Sequence, residues 1–409
     1  MIKNPTLFIS YSWQTKDLAD RIANDLEVIG IIVIKDNKEL DYTDNIPDFM
    51  KRIRSSDYAL LLISDNYIKS KNCLYEVLEL QKDDNHWDKV LPIVCDGTKI
   101  YSALDRVNYI KFWEQKTSEL EIALKSIDPI NSTELYKDLK LFKDISFNLD
   151  RFLKQISESL HFKPDEIFEK KYKPITDKLG FGPNAESLIS LLNIYLITDL
   201  EKREIELDKY ISNHKESGYY FSIKGSTARD LFKFDQAIHF YEKGLSIEPT
   251  HFAILNNYGQ IIQHVKKDYK KAKELYEKAV QSNPKSDIAR LNLGVLIRQH
   301  FNDVDGAQEQ YEKILEFDPD NAKAHNNIAN IYKDPRAKRI DLEKAEYHLL
   351  KAIESNPNYI EALFSYGNFL KVYKKEFEKG NEYYKRVEEL DKEGNFKDLL
   401  KVLMESKKG

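Results

Sequence analysis

Four prolines in the C-terminal half, Pro249, Pro284, Pro319 and Pro357, stand 35, 35 and 38 residues apart. The residues ahead of them recur at the same spacing: Ala237, Tyr241 and Gly244; Ala272, Tyr276 and Ala279; Ala307, Tyr311 and Ile314; Ala345, Leu349 and Ala352. A fifth copy, Gly380, Tyr384 and Val387, lacks the proline. Earlier in each unit sits a small residue, at Gly225, Gly259, Gly294, Ala329 and Gly367. Several residue types repeating in register constrain a fold strongly, because every unit must bury the same face against its neighbour. The small residue lets two helices approach, the aromatic fills the gap, and the proline ends the second helix.

This pattern resembles the tetratricopeptide repeat, a helix-turn-helix unit with a period of about 34 residues. The fourth copy carries a longer turn, Lys333 to Asp341, and the first is degenerate. From Gly394 to Lys408, Phe396, Leu399, Leu400 and Leu403 pattern as a capping helix. The resemblance implies an α-solenoid whose concave face takes a protein or peptide ligand, and which supplies no catalysis of its own.

Composition narrows the rest. The chain has 409 residues, enough for two or three domains, and 42% of them are hydrophobic, enough to build cores. A formal net charge of −5 gives no global attraction to nucleic acid or anionic lipid, so neither is an expected partner. Two cysteines, Cys73 and Cys95, are too few for a disulfide scaffold or a four-thiolate zinc site. The opening MIKNPTLFISYSW lacks the basic-then-apolar order of a secretion leader, and the apolar stretch Leu188 to Ile197 is too short to span a bilayer. A cytoplasmic protein is the expectation. With 14 Gly and 12 Pro, the chain is also not a turn-dense all-β protein.

The first part of the chain alternates strand-like and helix-like runs. Thr6 to Ser10, Ile31 to Ile34, Ala59 to Ile63 and Val90 to Val94 are short and apolar, as buried parallel strands are. Asp17 to Ile29, Ile46 to Arg54 and Asn72 to Gln81 have helical periodicity. This predicts an α/β domain, a parallel sheet with helices on both faces, whose ligand edge lies beyond the C-terminal ends of the strands. The segment from about 125 to 220 reads as helical, broken by the GFGPN cluster at Gly180 to Asn184. Within it, Thr198 and Glu201 pattern as a capping box that starts a helix through Ser212. The expected domains are 1–163, a helical connector over 164–214, and a repeat array of about five units plus a cap over 215–409.

The two strand ends that reach the ligand edge read Ser10-Tyr11-Ser12 and Ser64-Asp65-Asn66-Tyr67, followed by Ser70, Cys73 and Glu76 and, later, Phe112-Trp113. LFISYSW, SDNYIKSKNCLYEVLEL and Phe112-Trp113, in this order, resemble three motifs of the Toll/interleukin-1 receptor (TIR) domain. The likeness covers residues 4 to 115 and extends through a last helix near Asn148 to Leu160. It implies a flavodoxin-like parallel sheet. Members of the family are either signalling adaptors or enzymes that cleave NAD at the nicotinamide–ribose bond, and the glutamate the enzymes require matches Glu76. By the same resemblance Ser10 and Tyr11 form the pocket floor, and Ser70, Asn72, Cys73 and Asp36 complete the substrate-binding candidates. Many members have tryptophan where this chain has Asn72, and the loop Lys35 to Asn45 lacks the Pro-Gly often found there.

The residues support the Glu76 assignment separately. At about 100° per residue, Cys73, Leu74, Val77, Leu78 and Leu80 form one apolar arc, with Glu76 on its flank and Glu79 turned away toward water. Nicotinamide leaves as a neutral molecule from a cationic ring, so one carboxylate that stabilises oxocarbenium character on the ribose suffices without a general acid. Cys73 has no histidine neighbour in the motif and reads as a packing residue rather than a nucleophile. His86 reads as a surface residue and Asp36 equally well as a turn residue. No G-x-G-x-x-G, phosphate loop, zinc spacing or G-x-S-x-G is present.

The expected function is NAD cleavage with no resident cofactor or metal, NAD being the substrate. It is gated by self-association of the TIR domains or by a ligand on the repeats, and the resemblance to bacterial TIR effectors points to anti-phage defence. The alternative is a non-catalytic scaffold that recruits other TIR domains.

Overall fold

In the computed structural model, the described residues are 5–35, 56–82, 86–125, 127, 132–159, 161–179, 185–336, 340–392, 394–397, 400 and 403. Asp36 and the helix expected over Ile46 to Arg54 lie outside them, as does most of the expected capping helix. Two compact units divide the chain, Met1–Ile223 and Lys224–Gly409.

In the first unit, β1 (Thr6–Tyr11), α1 (Lys16–Glu27), β2 (Ile32–Lys35), β3 (Tyr58–Ile63), α2 (Asp65–Lys69), α3 (Lys71–Leu80), the single turn α4 (His86–Lys89) and β4 (Val90–Val94) follow in order. The strands pair in the order β2-β1-β3-β4 and all are parallel, with Phe8 opposite Ile34, Ile9 opposite Leu60 and Leu60 opposite Leu91. The apolar runs of β1, β3 and β4 follow from burial on both faces, whereas the edge strand β2 is only partly covered. Phe8, Ala59, Leu61 and Ile63 pack with residues of α3 and of the later helices, while Leu7, Ile9, Leu60 and Leu62 are equally buried on the opposite side. α1 lies against β1 and β2 and buries Ala19, Ile22, Ala23 and Leu26.

After β4 come two long helices, α5 (Ala103–Leu124) and α6 (Thr133–Glu158), packed against each other. The last helix expected near Asn148 to Leu160 is therefore the second half of a 26-residue helix. It buries Ile145, Leu149, Phe152, Leu153 and Ile156, four of them three or four residues apart, on the core side. Beyond it Phe162 bridges to Ile93 in parallel, on the outer edge of β4. One residue thus stands where a fifth strand would add.

Next come α7 (Pro164–Glu169), α8 (Lys173–Leu179), α9 (Ala185–Tyr195) and α10 (Leu200–Ile211). The first two are tied to α1: the Tyr172 hydroxyl donates to Asp25 at 2.5 Å, and the Arg21 guanidinium lies 3.7 Å from the Phe168 ring centre. At α10 the cap is Asp199 rather than Thr198, its carboxylate accepting from the Lys202 amide at 3.0 Å. An aspartate in that place both satisfies an orphan amide and meets the positive end of the helix.

The repeats are helix pairs: α11 (Gly218–Asp230) with α12 (Phe234–Ile247), α13 (Phe252–Ile261) with α14 (Tyr269–Ser282), and α15 (Asp287–His300) with α16 (Val304–Leu315). They continue with α17 (Ala322–Tyr332) and α18 (Leu342–Ser355), then α19 (Ile360–Phe369) and α20 (Phe377–Leu390). A Cβ added at Gly225, Gly259, Gly294 or Gly367 would stand 2.3, 2.6, 2.5 or 2.7 Å from the ring of Tyr241, Tyr276, Tyr311 or Tyr384. The fourth repeat shows the converse. It has Ala329 in place of glycine and the shorter Leu349 in place of tyrosine, both wholly buried in one cluster. Phe396, Leu400 and Leu403 pack beside Leu363, Tyr384 and Val387, closing the apolar end of the array.

Candidate functional site

β1 and β3 are central neighbours in the sheet, and the chain leaves them toward opposite sides. The crevice at their C-terminal ends is where an open parallel sheet offers a ligand site. Ser10 and Tyr11 end β1, Ser12 follows it, and Ser64 follows β3; the Ser12 and Ser64 hydroxyls meet at 3.1 Å. Ser64 then starts α2, its hydroxyl accepting from the Tyr67 amide at 3.1 Å, and Ser70 starts α3, accepting from the Cys73 amide at 3.3 Å. Two consecutive serine caps turn the chain so that Tyr67, Cys73 and Glu76 come back over the end of β1.

There Ser10 Oγ donates to Glu76 Oε2 and lies 2.7 Å from the Tyr67 hydroxyl. Ser10 has one proton, and the carboxylate can only accept it, so Tyr67 is the donor to Ser10. The proton order is therefore Tyr67 to Ser10 to Glu76. Burial first, and then the neighbouring Cys73 and Glu76, hold the Tyr67 hydroxyl well above its ordinary range, while the Ser10 bond opposes them. Tyr67 accordingly stays protonated and donating across the accessible pH range. Each link adds about 1 kcal/mol, and the one that ends on a charge adds more. Ser10 and Tyr67 are fully buried and Glu76 is 3% exposed.

Of the residues singled out in the sequence, Ser10, Tyr11, Cys73 and Glu76 come together. Cys73, buried like a packing residue, also directs its Sγ to the Tyr11 carbonyl at 3.5 Å. Ser70 is accounted for as a cap, and Asn72 is half-buried in the first turn of α3. Asp36 lies outside the described residues. Glu79 differs from the expectation: it is 6% exposed and paired with Lys82. A helical wheel gives a side chain's direction from its own helix and is blind to the neighbours that cover it. Glu76 likewise is a covered group rather than one at an open rim. Trp113 is buried, its Nε1 donating to the Ile68 carbonyl at 3.0 Å and its ring edge-on to Phe142, so it fastens α5 and α6 to the end of α2.

Tyr67 was not among the sequence candidates, although the strand-end segment that carries it was. Its signal was its position three residues after a capping serine at a strand end, which returns the side chain to the sheet. Trp13, just past β1, is 61% exposed. Among the described residues, no group of three His, Cys, Asp or Glu is placed to hold a metal ion. No helix among them is long and apolar enough to cross a membrane.

Comparison with known proteins gives two kinds of match. Family models match residues 7–125 as a TIR domain, and residues 220–251 and 266–331 as tetratricopeptide repeats. No curated protein matches the chain. Among solved structures, a tetratricopeptide repeat protein from Parabacteroides merdae is 19% identical, with 59% of this chain and 96% of that one covered and a TM-score of 0.41. PilW, a widely conserved type IV pilus biogenesis factor, is 18% identical, with 52% and 94% covered and a TM-score of 0.43. YrrB, described as a tetratricopeptide protein with an unusual peptide-binding site, is 19% identical, with 45% and 92% covered and a TM-score of 0.35.

Proposed function

The chain carries an N-terminal TIR domain followed by tetratricopeptide repeats, and from that arrangement we propose that it cleaves NAD at the nicotinamide–ribose bond under the control of its repeats. The observation that carries this reading is the Glu76 carboxylate, held at the C-terminal edge of the sheet by a proton chain from Tyr67 through Ser10. As nicotinamide leaves, positive charge develops on the ribose. A carboxylate already oriented by fixed donors stabilises that charge without reorganising. Water, or a hydroxyl of the same ADP-ribose, completes the substitution at the anomeric carbon. The ring nitrogen takes the bonding pair, so nicotinamide departs neutral and needs no proton.

The gate is association. An ungated NADase depletes its host, and Glu76 at 3% exposure is a covered group that has to be opened. A partner or second copy engaged through the repeats supplies the opening by favouring the accessible form. A role in anti-phage defence follows from such a gated depletion. A non-catalytic scaffold is the second reading, and it is favoured by the same burial together with Asn72, where a ring-stacking tryptophan is absent.

The deciding experiment is nicotinamide release by the purified protein over a wide concentration range, beside Glu76→Gln. Turnover that rises more steeply than protein concentration, and vanishes in the variant, supports gated catalysis. Equal turnover in both rejects Glu76 as its carboxylate. No turnover at any concentration, with NAD bound or not, supports the scaffold.

A further inference from the structure

The same position in each repeat, four residues after the small residue in the first helix, holds Arg229, Gln263, Arg298, Lys333 and Lys371. In most repeats this side chain and the buried tyrosine beside it find partners within the chain. Arg229 Nε donates to Asp230 at 2.9 Å, and the Tyr241 hydroxyl lies 3.3 Å from Ser226. The Tyr276 hydroxyl donates to Gln263 at 2.8 Å. Lys371 donates to Asn381 at 3.0 Å and to the Leu403 carbonyl, and Tyr384 to Asn368 at 2.7 Å.

Between the third and fourth repeats the pattern breaks. The Tyr311 hydroxyl and Arg298 Nε are both buried without a hydrogen-bond partner. Arg298 pairs with Asp334 at 3.7 Å from Nη1, a carboxylate that it shares with the Arg336 fork at 2.9 and 2.6 Å, and its Nε is left unmet. Beside them Lys333 is pushed down to about 8 by burial and then by the charge of Arg298. The Tyr311 hydroxyl reaches 3.1 Å from the place a Cβ would take at Gly294, one turn before Arg298, and Lys333 adjoins the Asp334 that Arg298 faces, so the three groups share one neighbourhood. Asp334 offsets only one of the charges of Arg298, Lys333 and Arg336. An unmet buried donor costs about 1–3 kcal/mol, and a cation more.

We propose that the junction of the third and fourth repeats is an oxyanion site, in which Arg298, Lys333 and Tyr311 hold a carboxylate or phosphate group presented by a ligand of the array. Three donors, two of them cationic, meet an anion by charge-assisted hydrogen bonds, the strongest pairing available to them. The equivalent groups of the other repeats are closed by the chain itself, so one junction of the array is set apart for a charged group. This site stands whether or not the N-terminal unit turns over NAD.

The test uses the full chain and two probes, inorganic phosphate and succinate, titrated at constant ionic strength against chloride. Thermal unfolding and calorimetry are the readouts. A saturable rise in Tm is expected in the parent, because a ligand that binds only the folded form stabilises it. Affinity should fall at least about tenfold in Arg298→Gln, in Lys333→Met and in Tyr311→Phe. Tyr311→Phe keeps the shape of the core and removes one donor, so it reads out even where the charge variants fold poorly. In chloride, Lys333→Met should melt no lower than the parent, since it removes an uncompensated cation. A response to succinate alone identifies a carboxylate ligand, and one to phosphate alone a phosphate. No saturable response in the parent, or the same response in parent and all variants, overturns the proposal and leaves these donors to water.

Discussion

The two polar centres of this molecule are built in opposite ways. At the sheet edge of the first unit, a carboxylate is met by Ser10, which is met by Tyr67, and the chain of donors ends in a satisfied anion. In the repeats, Arg298 Nε and the Tyr311 hydroxyl are buried donors without acceptors, beside the cation of Lys333. The contrast separates two uses of burial. A satisfied buried network holds one geometry in place, and so prepares a charge before any ligand arrives. An unsatisfied one lowers stability until a ligand completes it, and so couples binding to folding.

The largest effect expected is at the satisfied centre. Glu76→Gln should lower nicotinamide release by a factor of about 100 or more, the usual cost of removing a group that stabilises transition-state charge. Circular dichroism of that variant should still show the parent fold. A small loss, under about threefold, would break the comparison, because the prepared charge would then serve no chemistry.

The repeat packing offers a sharper test of geometry. Gly294→Ala places a Cβ 2.5 Å from the Tyr311 ring and should destabilise by about 1–3 kcal/mol, even though alanine is the better helix former. Adding Tyr311→Leu should recover much of this, since Ala329 and Leu349 already form that pair one repeat on. Denaturant titration of the two single variants and the double variant checks it. Additive losses would show that the glycine and tyrosine are not coupled.

Acid should act on the repeats through buried histidine. Burial pushes His251 down to about 4. Below its ordinary value of 6.5, the unfolded chain takes up a proton that the folded one refuses, so this group lowers stability as pH falls from 6.5 toward 4. The loss at pH 5 should be on the order of 2 kcal/mol. His251→Gln should flatten that slope, and an unchanged slope in the variant would assign the acid sensitivity to other groups.

The smallest effect is a gain. Lys267 and Lys375 hold φ of 55° and 61° at the turns between paired helices, a conformation that costs a side chain more than it costs glycine. Lys267→Gly should raise stability by up to about 1 kcal/mol in thermal unfolding. A loss instead would show that the lysine side chain contributes more than its backbone strain removes.

Much of the architecture was legible in the residues because local and periodic signals carry it. Four apolar runs became four parallel strands within one residue of their expected bounds, and in β1, β3 and β4 burial on both faces is what demands unbroken apolar sequence. The small residue, the aromatic and the proline became a glycine against a tyrosine ring and a helix stop, repeated along the array. Cap chemistry was less secure: at α10 adjacent Thr198 and Asp199 both fit the pattern, and the carboxylate took the place.

What the sequence by itself determined was the order of the elements, the repeat and the residue types at the sheet edge, all of which depend on neighbours a few positions apart. Tertiary structure alone decided what touches what. Ser10 and Glu76 are 66 residues apart and Ser10 and Tyr67 are 57 apart, and only the pairing of β1 with β3 joins them. Glu79 turned from its own helix's apolar arc and was still covered, because burial is set by the elements packed around a helix. Arg298, Lys333 and Tyr311 read as ordinary repeat residues in sequence. Whether a buried donor has an acceptor depends on distances between helices, and no spacing along the chain records those distances.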